Sequence, residues 1–86
     1  MALDVAVSSE SAEIKGVAGE VAGRADVLLM PDVVSGNSVA KSMQYFAHAV
    51  MGGVIVGAAA PIVVISRADT HVVKLNSLAM ARALIG

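Results

Sequence analysis

The stretch GGVIVGAAAPIVVISRAD, from Gly52 to Asp69, decides how this chain is read. Seventeen residues, Ala49 to Ile65, carry no charge, and then Ser66, Arg67 and Asp69 follow almost together. Two structures fit such a run: a membrane span with a polar end, or buried strands that deliver polar groups to a site. A spanning helix needs about 20 apolar residues, and this run is short and interrupted by Gly52, Gly53, Gly57 and Pro61. Its β-branched residues fall into two groups, Val54–Val56 and Ile62–Ile65, each of strand length and each bounded by Gly or Pro. Two buried strands are therefore expected rather than a span. The Gly53–Gly57 spacing imitates a transmembrane dimerisation motif, but such matches are common in Gly/Ala-rich chains.

Outward from this stretch, the chain reads as an alternation of elements. Ser8 or Ser9 is placed to cap a short helix through Glu13–Lys15, with Gly16 as its stop. Val17–Gly23 reads as a loop, and Asp26–Met30 as an apolar strand closed by Pro31. A loop follows, with Ser35 or Asn37 placed to cap a helix from Ser38 to Ala49 that carries Val39, Met43, Phe46 and Val50 on one face. After the two β-branched runs, Asp69 or Thr70 caps a last helix to about Leu84, with Val72, Leu75, Leu78, Ala79 and Ala83 inward and Val73, Met80 and Leu84 beside them. The order is helix, strand, helix, strand, strand, helix. Strands apolar on both faces belong to an α/β sheet covered on both sides.

Composition limits the partners. The chain has 86 residues, 57% of them hydrophobic, which is more apolar surface than so short a chain hides in its own core. A partner is implied: a membrane, another subunit or more chain. The net charge of −1 comes from six basic and seven acidic residues spread thinly, so neither a basic patch nor an aromatic platform points to nucleic acid. With no cysteine, disulfides and thiolate metal sites are excluded, and the cytoplasm is a natural home. The opening residues lack the basic and apolar regions of a signal peptide.

Two stretches invite chemistry. In VSGNSVAKS (Val34–Ser42), Gly36 precedes Lys41-Ser42 by five residues, but a phosphate-binding P-loop needs Gly directly before the Lys, where Ala40 stands. What remains is a glycine-containing loop before a helix N-terminus, receptive to an anion or simply an ordinary cap. Ser66 and Arg67 repeat that layout after the second β-branched run. The Arg fork suits phosphate or carboxylate, unless Arg67 pairs with Asp69 or Asp32 on a solvated edge. His48 and His71 have no metal-ligand spacing and read as surface or packing residues, so no metal is expected.

Taken together, ALDVAVSSESAEIKG, ADVLLMPDVVSGNSVAKSMQYFAHA and GGVIVGAAAPIVVISRAD resemble the C-terminal part of the phosphate acetyl/butyryl transferase family, and its phosphate butyryltransferase branch more than the acetyl-specific one. The likeness runs from Ala2 through the last helix. It implies a three-layer α/β sandwich related to the isocitrate and isopropylmalate dehydrogenase fold, of which residues 1–86 would be the C-terminal portion. It also implies a homodimeric, cytoplasmic enzyme that moves an acyl group between coenzyme A and inorganic phosphate, with acyl-CoA as substrate and no resident cofactor. Ser66 and Arg67 match the family's catalytic Ser-Arg pair: Arg for phosphate or developing negative charge, Ser to orient the thioester. Asp32, Gly36 and Asn37 match the substrate-binding loop beside it. In acetyl-specific members an aspartate proposed as the base lies seven residues after the Ser. That position is Val73 here, which leaves Asp69 or His71 as substitutes. Family members are several times longer, so Met1 reads as a start inside a longer enzyme. A second possibility is that these residues alone form a non-catalytic folding and dimerisation module.

Overall fold

A computed structural model describes residues 1–86 as four helices: α1 (Leu3–Val7), α2 (Ser9–Ile14), α3 (Val33–Tyr45) and α4 (His71–Ile85). The chain divides into two compact units, Met1–Ser35 and Gly36–Gly86.

In the first unit the expected short helix becomes two. Ser8 separates them: its hydroxyl accepts from the Ser11 N–H at 3.2 Å and so caps α2. At the other end Gly16, at φ 68°, donates to the Glu13 carbonyl, and Val17 donates to that of Ala12. These are the two bonds of a Schellman stop, which needs a left-handed residue. Val5, Ala6 and Ala12 form the small core where α1 meets α2. The chain then returns to the open end of α1, where Gly23 donates to the Val5 carbonyl at 2.7 Å and Ala25 to that of Ala6 at 3.0 Å. Gly23 sits at φ 76°, and a Cβ there would lie 2.6 Å from the Ser9 Cα. The strand expected over Asp26–Met30 does not form. This segment is irregular, and Leu29 is 96% exposed, because an apolar run with no neighbouring strand has no ladder to join.

The second unit contains most of α3 and all of α4. Helix α3 starts at Val33, well before the expected Ser38, because Asp32 rather than Ser35 or Asn37 supplies the cap. It stops at Tyr45, short of Ala49; His48 then takes the left-handed conformation at φ 55° and Ala49 donates back to the Met43 carbonyl. Residues 51–53 lie on α4. Ser77, only 2% exposed, accepts from the Gly53 N–H at 3.0 Å and donates to the Val73 carbonyl at 2.8 Å. Asn76 donates to the Met51 carbonyl at 3.2 Å, and a Cβ on Gly52 would meet the Met80 sulfur at 2.9 Å. The face of α4 that meets residues 51–53 is thus centred on Asn76 and Ser77, with the exposed Met80 at its edge. The expected inward residues Val72, Leu75 and Leu78 are exposed.

The two β-branched runs meet through one antiparallel bridge, Ile55 to Ile62, with N–H···O distances of 2.8 and 3.3 Å. Neither run becomes a strand, since a single pair without a third strand or a covering helix is marginal. No helix is long and apolar enough to cross a membrane.

Candidate active site: the turn before the last helix

Ser66 to Asp69 form a tight turn between the second β-branched run and α4. The Asp69 N–H donates to the Ser66 carbonyl at 3.0 Å, closing the turn. In the opposite direction the Ser66 N–H donates to Asp69 Oδ2 at 2.7 Å, and the Ala68 N–H makes a longer bond, 3.4 Å, to Ser66 Oγ. Thr70, not Asp69, caps α4 by accepting from the Val73 N–H at 3.4 Å. Asp69 is thereby free to serve the turn, and it does so with both oxygens. Oδ1 forms an ion pair at 3.7 Å with the ammonium of Lys41, which stands on α3. The Asp69 side chain is only 11% exposed, whereas that of Lys41 is 38% exposed.

This arrangement decides the question left open for Arg67. The carboxylate of Asp69 faces Lys41, and that of Asp32 caps α3, so Arg67 has no ion-pair partner. Its guanidinium is exposed at the apex of a turn whose backbone is fixed by two hydrogen bonds. Ser66 is exposed beside it. An unpaired Arg on a rigid turn offers a planar set of donors to an anion.

The other expected residues fall elsewhere. Gly36 and Asn37 are not in a loop: both lie inside α3. Asn37 stands four residues before Lys41, on the same helix face. Asp32 belongs to the first unit, where its Oδ1 accepts from the Ser35 N–H at 2.7 Å. That backbone bond, helped by the Ser35 hydroxyl, holds the Asp32 carboxyl below its usual range. The N-terminus of α3 therefore has a built-in anion and is not a vacant phosphate cradle.

Of the substitutes for the missing aspartate, Asp69 has both oxygens engaged, and His71 is exposed in the first turn of α4. Val73, at the family's aspartate position, is apolar and donates its N–H to Thr70. An open cleft of about 280 Å³ lies between the end of α3 and the start of α4, with Gln44, His48, Thr70 and Val73 on its walls. No three His, Asp or Glu side chains converge as a metal site would require. The Lys41–Asp69 pair spans 28 positions and carries no local signal. Ser77 had a faint one, as a lone hydroxyl among the apolar residues of α4.

Comparison with known proteins agrees with the motifs. Residues 1–82 match the family model described as phosphate acetyl/butaryl transferase. The chain is 49% identical over all of its 86 residues to the phosphate butyryltransferase of Clostridium acetobutylicum, covering 29% of that protein. It is 51% identical over 81 residues, 94% of the chain, to the probable phosphate butyryltransferase of Bacillus subtilis, covering 27% of it. Against the phosphate acetyltransferase of Rhizobium meliloti the identity is 43% over 81 residues, 94% of the chain and 26% of the relative. The chain thus spans between a quarter and a third of the length of these relatives. With a match across nearly its whole length, it belongs to the phosphate acetyl/butaryl transferase family.

Proposed function

We propose that this chain supplies the anion-binding turn of a cytoplasmic phosphate acyltransferase that converts acyl-CoA and inorganic phosphate to acyl phosphate and coenzyme A. Its substrate would be butyryl-CoA or a thioester of similar length. The observation that carries this is Arg67, unpaired and exposed on a hydrogen-bonded turn. In the reaction a phosphate oxygen attacks the thioester carbonyl, the tetrahedral oxyanion collapses, and the C–S bond breaks to release the thiolate. Negative charge is present on the nucleophile, on the intermediate and on the leaving group. Fixed donors placed where that charge develops are what such a site needs. Arg67 would hold phosphate or the developing charge, and the Ser66 hydroxyl would orient the thioester. By the family resemblance Asp32, Gly36 and Asn37 would be substrate-binding residues. Asn37 fits this role through the helix face it shares with Lys41, whereas the Asp32 carboxylate already caps α3. No resident cofactor enters this scheme. In the complete enzyme the β-branched runs would become strands of the three-layer α/β sandwich, and the single Ile55–Ile62 bridge is consistent with segments that await neighbours.

The test is a chimaera in which these 86 residues replace the matching stretch of the Clostridium acetobutylicum enzyme. Arg67→Ala should lower the kcat of phosphate-dependent CoA release by at least about 10²-fold, the scale for losing one key electrostatic donor. Ser66→Ala should cost less, because a neutral hydrogen bond contributes less than a charged one. Near-normal activity in the Arg67→Ala chimaera would remove Arg67 from the site.

A second reading, a folding and homodimerisation module without catalysis of its own, draws on the exposed apolar side chains Val72, Leu75, Leu78, Phe46 and Val50. It predicts that the isolated chain associates at micromolar concentration in light scattering. A strictly monomeric mass would contradict it.

A further inference from the structure

We infer that Asp69 is a positioning residue for the anion site: its carboxylate locks the turn that presents Arg67, and Lys41 offsets the negative charge this lock brings. The inference rests on the reading of Arg67 as the anion ligand given above. A carboxylate two residues from an Arg that must bind phosphate is at first sight a poor choice, because it repels the ligand and offers the Arg a competing partner. The geometry resolves the conflict. Oδ2 is occupied by the Ser66 N–H at 2.7 Å, and Oδ1 faces the Lys41 ammonium at 3.7 Å. The same residue closes the turn a second time through its own N–H to the Ser66 carbonyl at 3.0 Å. A side chain only 11% exposed, with both oxygens engaged, neither reaches Arg67 nor serves as a freely available base. Helix capping does not explain it, since Thr70 fills that role. The local charge of Lys41, Asp69 and Arg67 sums to one positive unit, and Arg67 carries it outward.

Electrostatics and positioning predict opposite signs for loss of Asp69, and this makes the inference testable. Removing a negative charge beside an anion site should by itself tighten phosphate binding. Removing the lock should weaken it. The experiment is a titration of the isotopically labelled 86-residue chain with inorganic phosphate, followed by NMR at the Ser66 and Arg67 amides and the Arg67 side-chain N–H. In the unmodified chain, saturable shifts confined to the turn are expected. Asp69→Ala should weaken phosphate binding by about threefold or more, in spite of the lost charge, as expected for one hydrogen bond. Asp69→Asn keeps an oxygen to accept from the Ser66 N–H and should bind at least as tightly as the unmodified chain. Lys41→Met should weaken binding while the turn amides stay in place. The Val73 amide and the helical signal report whether α4 survives each change.

Equal or tighter binding in Asp69→Ala would overturn the positioning role while leaving Arg67 as ligand. So would an equal loss in Asp69→Asn and Asp69→Ala. Unchanged affinity in Lys41→Met would remove Lys41 from the account. If phosphate moves nothing at Arg67 in the unmodified chain, the reading of Arg67 itself falls, and the inference with it.

Discussion

Helix α2 and the β-branched runs differ in what they need from the rest of a protein. The helix is closed entirely by residues next to it: Ser8 at its start, Gly16 and Val17 at its end. The runs Val54–Val56 and Ile62–Ile65 have comparably clear local signals but form only one bridge. A helix satisfies its backbone internally, whereas a strand needs a partner strand from elsewhere in the chain. Helices closed within a few residues therefore form here, and strands that need distant chain do not. The turn at Ser66–Asp69 belongs to the first kind in its backbone and to the second in its charge, since Lys41 comes from another helix.

The end of α1 is closed not by its neighbours but by the returning chain at Gly23 and Ala25, and breaking that closure should loosen the first unit. The largest effect is expected at Gly23, which combines a left-handed conformation with a 2.6 Å approach to the Ser9 backbone. Gly23→Ala should destabilise the first unit by about 2–4 kcal/mol, from the strained φ and the backbone clash together. Loss of protection from hydrogen exchange at the Gly23 and Ala25 amides would show it, and unchanged protection would break the comparison.

Ser77→Ala tests the second unit. It strips the Gly53 N–H of its acceptor, at an expected cost of about 1–2 kcal/mol. Faster exchange at Gly53, with α4 still helical, is the expected result.

The smallest effect is a pH dependence. Asp32 and Asp4 both have carboxyls held below the usual range, Asp32 by the Ser35 backbone and Asp4 by its hydrogen bond to Lys15. A lowered native pKa means the contribution is fully present above the unfolded value and is lost as pH falls through the native one. Between about pH 5 and about pH 2, the first turn of α3 should loosen, and Asp32→Ala should remove that dependence.

How much could be read beforehand follows the same division. Thr70 as a cap, Gly16 as a stop and the presence of the last helix were legible because their partners lie within a few residues. The start of α3 lies earlier than Ser35 or Asn37 suggests because Asp32, just after Pro31, supplies the cap. The packed face of α4 was misjudged because hydrophobic spacing favours Leu75 and Leu78, while the contact with residues 51–53 is polar and centred on Ser77. The turn at Ser66–Asp69 was legible from its position between an apolar run and a helix cap. The partner of Asp69 was not, since nothing in the spacing links position 41 to position 69.

If Arg67 and its turn bind the reacting anion, these 86 residues should function inside a complete phosphate acyltransferase. Formation of butyryl phosphate from butyryl-CoA and inorganic phosphate, by the chimaera carrying all 86 residues unchanged, tests it most directly. Phosphate-dependent product is expected, falling by at least about 10²-fold when Arg67 is replaced by Ala. A well-folded chimaera that makes no butyryl phosphate would contradict it.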